Sequence, residues 1–139
     1  MLVSVQDLGA LRKVLVIEDD LELVGIFNQI LKSIDHRFYS DWVTSAEQAV
    51  ALLEAAIHAK DTHPYDLILA DVFLDGPCTG LDVWKICQES FPTIPVVITS
   101  AFPFEKYFEK MGAIRLRPPF LHKPFQPREC REMLEGFLR

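Results

Sequence analysis

Basic charge is in short supply in this chain of 139 residues: 14 lysines and arginines against 20 aspartates and glutamates leave a net charge of -6. With an isoelectric point of about 5.1, the chain lacks the electrostatic footprint of a nucleic-acid binder, and direct DNA binding is not expected. Cysteine is scarce too. Cys78, Cys87 and Cys130 are odd in number, far apart and outside any CxxC, which fits reduced thiols in a cytoplasmic protein and not a disulfide framework. No apolar run approaches the length of a membrane span. The N-terminus has no basic segment followed by an apolar stretch, so no signal peptide is expected. Repeats, low-complexity segments and dividing linkers are also missing. One domain is therefore expected, long enough to bury a core without disulfides or a structural metal.

What is present begins with Tyr65 to Asp71, where four apolar residues, Leu67 to Ala70, run straight into an acid. An apolar run without polar alternation suits a strand buried on both faces. Asp71 then sits at the strand's carboxyl end, the edge where open α/β sheets bind ligands. Taken alone, Asp71 reads slightly better as a turn acid or a helix N-cap than as a site residue. A second such run, Val14 to Ile17, ends in Glu18, Asp19 and Asp20. Pro95 to Thr99 is another strand, followed by Ser100, and Phe120 to His122 a short one, followed by Lys123. Arg37 to Val43 alternates loosely, as an outer strand does.

Between these strands lie helical patterns. Leu23, Val24, Phe27, Ile30, Leu31 and Ile34 make one apolar face. Thr44 and Glu47 read as a capping box, followed by Ala46, Ala49, Val50, Leu53 and Ile57 at helical spacing. Asp75-Gly76-Pro77 is turn chemistry in the loop Val72 to Thr79. Gly80 to Ser90 is a third helix. A short helix is expected within Pro103 to Met111, and Ile114 to Pro119 is expected to be irregular because of its two prolines. Pro127 suits the first position of a last helix, with Cys130, Met133, Leu134 and Phe137 on its apolar face.

Five strands alternating with five helices predict an α/β fold: a flavodoxin-like, doubly wound parallel sheet of order 2-1-3-4-5, its fourth helix short or irregular. That order brings Glu18 and Asp19 beside Asp71. Crowded carboxylates repel and their pKa values rise, unless a hard cation such as Mg2+ accepts their oxygens. Ser100 and Lys123 converge on the same edge. A hydroxyl and an ammonium facing a metal-bound carboxylate form a receptor for a phosphoryl group. Singly, each acid is a solvated loop residue, Ser100 a cap and Lys123 a surface lysine; it is their convergence that points to chemistry.

The ordered motifs Val-Leu-Val-Ile-Glu-Asp-Asp, Tyr-Asp-Leu-Ile-Leu-Ala-Asp, Gly-Leu-Asp, Ile-Pro-Val-Val-Ile-Thr-Ser-Ala and Lys-Pro-Phe resemble the receiver domain of two-component response regulators. The resemblance implies a receiver domain over residues 13–139 preceded by an N-terminal extension, 1–12. It implies Asp71 as phosphoacceptor, with Glu18, Asp19, Asp71 and the Phe73 backbone carbonyl as ligands of Mg2+ or Mn2+. Ser100 matches the switch hydroxyl, Lys123 the phosphoryl-binding lysine and Phe120 the aromatic switch, and a cis Lys123-Pro124 bond is expected. Phe73 and Phe102 match the positions flanking the path of a hydrolytic water.

The implied partners are a histidine kinase or phosphotransfer protein, a downstream protein at the face of the fourth helix, fifth strand and fifth helix, and a homodimeric copy. Such a domain is a regulator, not an enzyme. It acts either alone or as part of a longer protein. The chain departs from the pattern in three places. Asp75 replaces a proline and Gly80 comes one residue late. Ile114 to Pro119, with Arg115 and Arg117, is inserted before the aromatic residue. The acid pair is Glu-Asp. The competing readings are a pseudo-receiver that binds partners without phosphorylation, and a metal-dependent phosphatase. A phosphatase wants a second acid two residues after its nucleophile, where this chain has Phe73.

Overall fold

The computed structural model describes residues 11–74, 76–102 and 118–138. Its elements are β1 (Arg12–Ile17), α1 (Leu21–Ile34), β2 (Phe38–Val43), α2 (Ala46–His58), β3 (Leu67–Asp71), α3 (Gly80–Ser90), β4 (Val96–Ser100), β5 (Phe120–His122) and α4 (Pro127–Leu138). The five strands form one parallel sheet, ordered β2-β1-β3-β4-β5, as the sequence predicts. Four helices are present among the described residues. The predicted helix at Pro103 to Met111 lies outside them, as do residues 1–10, Asp75 and the 114–117 part of the basic insertion. Pro118 and Pro119 lead into β5.

All five residues of β3 are buried, because the strand has neighbours on both edges and helices on both faces. Successive side chains point to opposite faces, so the apolar run feeds two cores. On one face Leu15, Ile17, Ile68, Ala70, Val96 and Ile98 pack under α2 and α3. On the other, Val14, Val16, Leu67, Leu69, Val97 and Leu121 pack under α1 and α4. At the amino end of the sheet, the Arg12 guanidinium lies 4.5 Å above the Phe38 ring. It also donates to the backbone carbonyl of Leu138, at 3.0 Å, tying the end of α4 to the start of β1.

The capping of α2 falls one residue later than the Thr44–Glu47 reading. Ser45 is the extended N-cap, accepting from the Gln48 N–H, while the Gln48 side chain bonds back to the cap. Glu47 instead reaches the next loop, where its Oε1 accepts the Cys78 N–H at 2.7 Å. The apolar faces also slip near helix ends. Ala56 is buried and Ile57 is 44% exposed; Leu138 is buried and Phe137 is 41% exposed. In both cases the next inward position after a buried Leu, at i+3 from Leu53 and i+4 from Leu134, belongs to the neighbouring residue.

The first residue of α3 is pressed against the end of the central strand. A Cβ at Gly80 would overlap the Asp71 backbone carbonyl, whereas one at Gly25, in α1, would meet nothing within 4 Å. Gly80→Ala should therefore lower stability by roughly 1–3 kcal/mol through overpacking. Gly25→Ala should raise it by roughly 0.8–1 kcal/mol through helix propensity. Urea unfolding of the two variants checks both signs; equal effects would refute the close approach at Gly80.

Candidate functional site

The register of the sheet assembles the site. Ile17 pairs with Ala70, Asp71 with Thr99 and Ser100 with His122. Glu18 and Asp19 thus leave β1 beside Asp71, and Lys123 leaves β5 beyond the end of β4. One carboxylate oxygen from each of Glu18, Asp19 and Asp71 lies within 4.8 Å of the others. Glu18 and Asp71 are buried, and Asp19 is exposed.

Lys123 Nζ crosses the sheet edge to bond both buried acids, at 2.5 Å from Glu18 Oε1 and 2.9 Å from Asp71 Oδ2. Burial pushes the Glu18 carboxyl up to about 7; the Lys123 hydrogen bond opposes this and nearby Asp71 adds to it. Burial works to lower the Lys123 pKa, but its hydrogen bonds to Glu18 and Asp71 outweigh that and raise it. The ammonium therefore stays charged and holds two acids that would otherwise repel each other.

The remaining predicted residues surround this cluster. Asp71 Oδ1 accepts the Phe73 N–H at 3.2 Å, so Phe73 is held to the site through its amide. Ser100 is the last residue of β4, one position inside the strand; it is buried, and its Oγ accepts the Phe102 N–H at 3.0 Å. Phe120 pairs in register with Ile98 and packs, half-buried, against the core beneath α2 and α3. The Lys123-Pro124 bond is cis.

The rings of Phe73 and Phe102 meet edge to face, with centroids 6.3 Å apart and planes at 89°. Both are exposed, at 61% and 48%. They line a groove of about 500 Å3 with Val72, Thr79, Leu81, Asp82 and Lys85. Two residues at the site carried no sequence signal of their role. The Trp42 indole N–H donates to the Glu18 backbone carbonyl at 2.6 Å, and Glu47 steadies the loop after Asp71. Glu47 had a visible pattern, an acid in the first turn of a helix, that pointed elsewhere.

Three clustered carboxylates, one of them with a pKa raised by burial, are the hard oxygen donors that a divalent cation such as Mg2+ accepts. The donor set fits that ion. In the metal-free chain the raised Glu18 pKa links to stability. Glu18 is protonated in both states below its ordinary value of 4.5, and folding takes up a proton between 4.5 and about 7. Stability therefore falls as pH rises through that window, and the full cost is present above it. Urea unfolding across the window should show the wild type losing stability relative to Glu18→Gln, with the difference flat on either side. A constant difference throughout would contradict the burial effect.

Residues 14–135 match the response regulator receiver domain family. A receiver protein from Sinorhizobium medicae is similar at 21% identity over 92% of this chain and 94% of that one, with a TM-score of 0.72. The NtrX receiver domain of Brucella abortus is similar at 23% identity, over 90% and 97%, with a TM-score of 0.69. The chemotaxis protein CheY4 of Vibrio cholerae is similar at 17% identity, over 92% and 99%, with a TM-score of 0.68. These likenesses establish the shared fold, and the match over 14–135, which contains the acids, Ser100 and Lys123, establishes the kinship: the chain belongs to the response regulator receiver domain family.

Proposed function

We propose that this chain is a phosphorylation-dependent switch whose phosphoacceptor is Asp71. The observation that supports this most is the bridge from Lys123 to both Glu18 and Asp71 at the edge where Ser100 also ends its strand. A histidine kinase or phosphotransfer protein presents phosphohistidine. The bond between the imidazole nitrogen and phosphorus breaks, its electron pair stays on that nitrogen, and an Asp71 carboxylate oxygen bonds to phosphorus. Asp71 supplies the new covalent bond, and positioning and charge neutralisation by its neighbours supply the rest of the rate.

Glu18, Asp19, Asp71 and the Phe73 carbonyl would hold Mg2+ or Mn2+, which when bound supplies positive charge to the oxygens of the transferred group. Lys123 is already charged beside Asp71 and meets the incoming phosphoryl oxygens directly. Ser100 Oγ accepts from Phe102 and still carries a proton to donate, since a hydroxyl both donates and accepts. Closing Ser100 onto the phosphoryl group and turning Phe120 inward transmits the change to β5 and α4 and the segment between β4 and β5. A downstream protein or a second copy of the chain reads that face. The switch is driven only by contacts that differ between the two states.

Incubation of the chain with acetyl phosphate and Mg2+ should add the mass of one phosphoryl group, and Asp71→Asn should abolish the addition. An unchanged mass shift in the variant would remove Asp71 from its role.

The Phe73 and Phe102 rings meet edge to face two residues after Asp71 and Ser100, and neither ring can hydrogen-bond a water, so in this reading they shield the path of the hydrolytic water. The phosphorylated state should decay slowly once the donor is removed. Phe73→Asn and Phe102→Glu should each speed that decay, with a tenfold change corresponding to a barrier lowered by roughly 1.4 kcal/mol. Loss of phosphate followed by intact mass in the absence of partners measures this, and unchanged rates in both variants would show that the rings do not control water.

A further inference from the structure

We infer that Trp42 is a positioning residue for the acid pair: its indole fixes the peptide that carries Asp19. The inference rests on the proposed role of Glu18 and Asp19 as holders of Mg2+. Trp42 lies on the edge strand β2, paired in register with Val16, two residues before Glu18. Backbone pairing between β1 and β2 runs one step past the strand ends, with the Glu18 N–H donating to the Val43 carbonyl at 3.0 Å. There β2 turns away into the cap of α2. The Glu18 carbonyl takes the indole N–H instead, at 2.6 Å.

The other end of the same peptide is held as well. The Asp19 N–H donates to Glu18 Oε2 at 3.0 Å, while Glu18 Oε1 is held by Lys123. Both polar groups of the Glu18–Asp19 peptide are therefore bonded, and rotating it breaks both bonds. The orientation of this peptide decides where the Asp19 carboxylate goes. Asp19 is the exposed member of the acid cluster, the one with no surrounding core to hold it. Of the two groups that fix the peptide, only Trp42 comes from another strand. The residue is 41% exposed and belongs to neither core cluster, so it contributes little core packing beside this directed bond.

The test removes the donor and keeps the ring. Calorimetric titration with Mg2+ alone should show Trp42→Phe binding about tenfold more weakly than wild type, the size usual when a group supporting a metal ligand is lost. Thermal stability of the metal-free variant should be nearly unchanged. A readout without any variant of Trp42 uses the full chain labelled with 15N at its two tryptophans, with Trp84→Phe to assign them. The Trp42 indole N–H resonance should move on addition of Mg2+. Wild-type Mg2+ affinity in Trp42→Phe, or an indole resonance that ignores Mg2+ while the wild type binds it, overturns the positioning role alone. Absence of Mg2+ binding by the wild type overturns the metal reading, and the inference with it.

Discussion

One ammonium joins two buried acids that the sheet brings to the same edge. Lys123 lies 105 residues from Glu18 and 52 from Asp71 in sequence, yet it bonds both. The strand order makes this reachable: β5 is separated from β3 only by β4, so a long side chain leaving the end of β5 spans the gap. Buried charges are tolerated only when paired and hydrogen-bonded. Each of these three groups is therefore a condition for the other two. Burial raises the Glu18 carboxyl to about 7, and the Lys123 hydrogen bond opposes that rise.

Much of this was legible in the residues, for a physical reason. A strand buried on both faces must be apolar throughout, so its end is marked by the first polar residue. Asp71 and Glu18 are announced in that way, whereas Lys123 follows a short strand that ends in His122 and is buried only at Leu121. The end of α3 could be read outright because Phe91-Pro92 stops it, and its start at Gly80 proves to be capped by Thr79. Adjacent hydroxyls at Thr44 and Ser45, each with a Glu or Gln three residues on, cannot be ranked by pattern. The choice falls to geometry, since Ser45 has the extended backbone of a cap and makes the reciprocal bond with Gln48. Near helix ends, spacings of three and four fit equally well, and Ile57 and Phe137 were misplaced for that reason. The Trp42 contact is a side chain meeting the backbone of another strand, which leaves no spacing to find.

The loop after Asp71 departs from the family pattern, with Asp75 in place of a proline, and the fold steadies it by other means. Glu47 of α2 accepts the Cys78 N–H, and that hydrogen bond is the main cause holding its carboxyl below the ordinary value. Gly76, with φ of +107°, passes so close that a Cβ there would lie 2.8 Å from the Glu47 carboxylate. At the far end of the loop Gly80 admits α3 against the Asp71 carbonyl. The segment is thus fixed by a neighbouring helix, where a proline would have fixed it from within.

The bond from Arg12 to the Leu138 carbonyl bears on how the chain comes into being. A nascent chain emerges amino end first, and its elements fold as their partners become available. β1 is exposed first, yet Val14 and Val16 share their core with Cys130, Leu134 and Leu138 of the final helix. Until that helix is out, α1 alone covers this face of the sheet, and the surface that packs against Cys130, Leu134 and Leu138 stays wet. The layer under α2 and α3 has no such wait. Synthesis would then yield a half-clad sheet, one face finished and the other open to chaperones until α4 emerges.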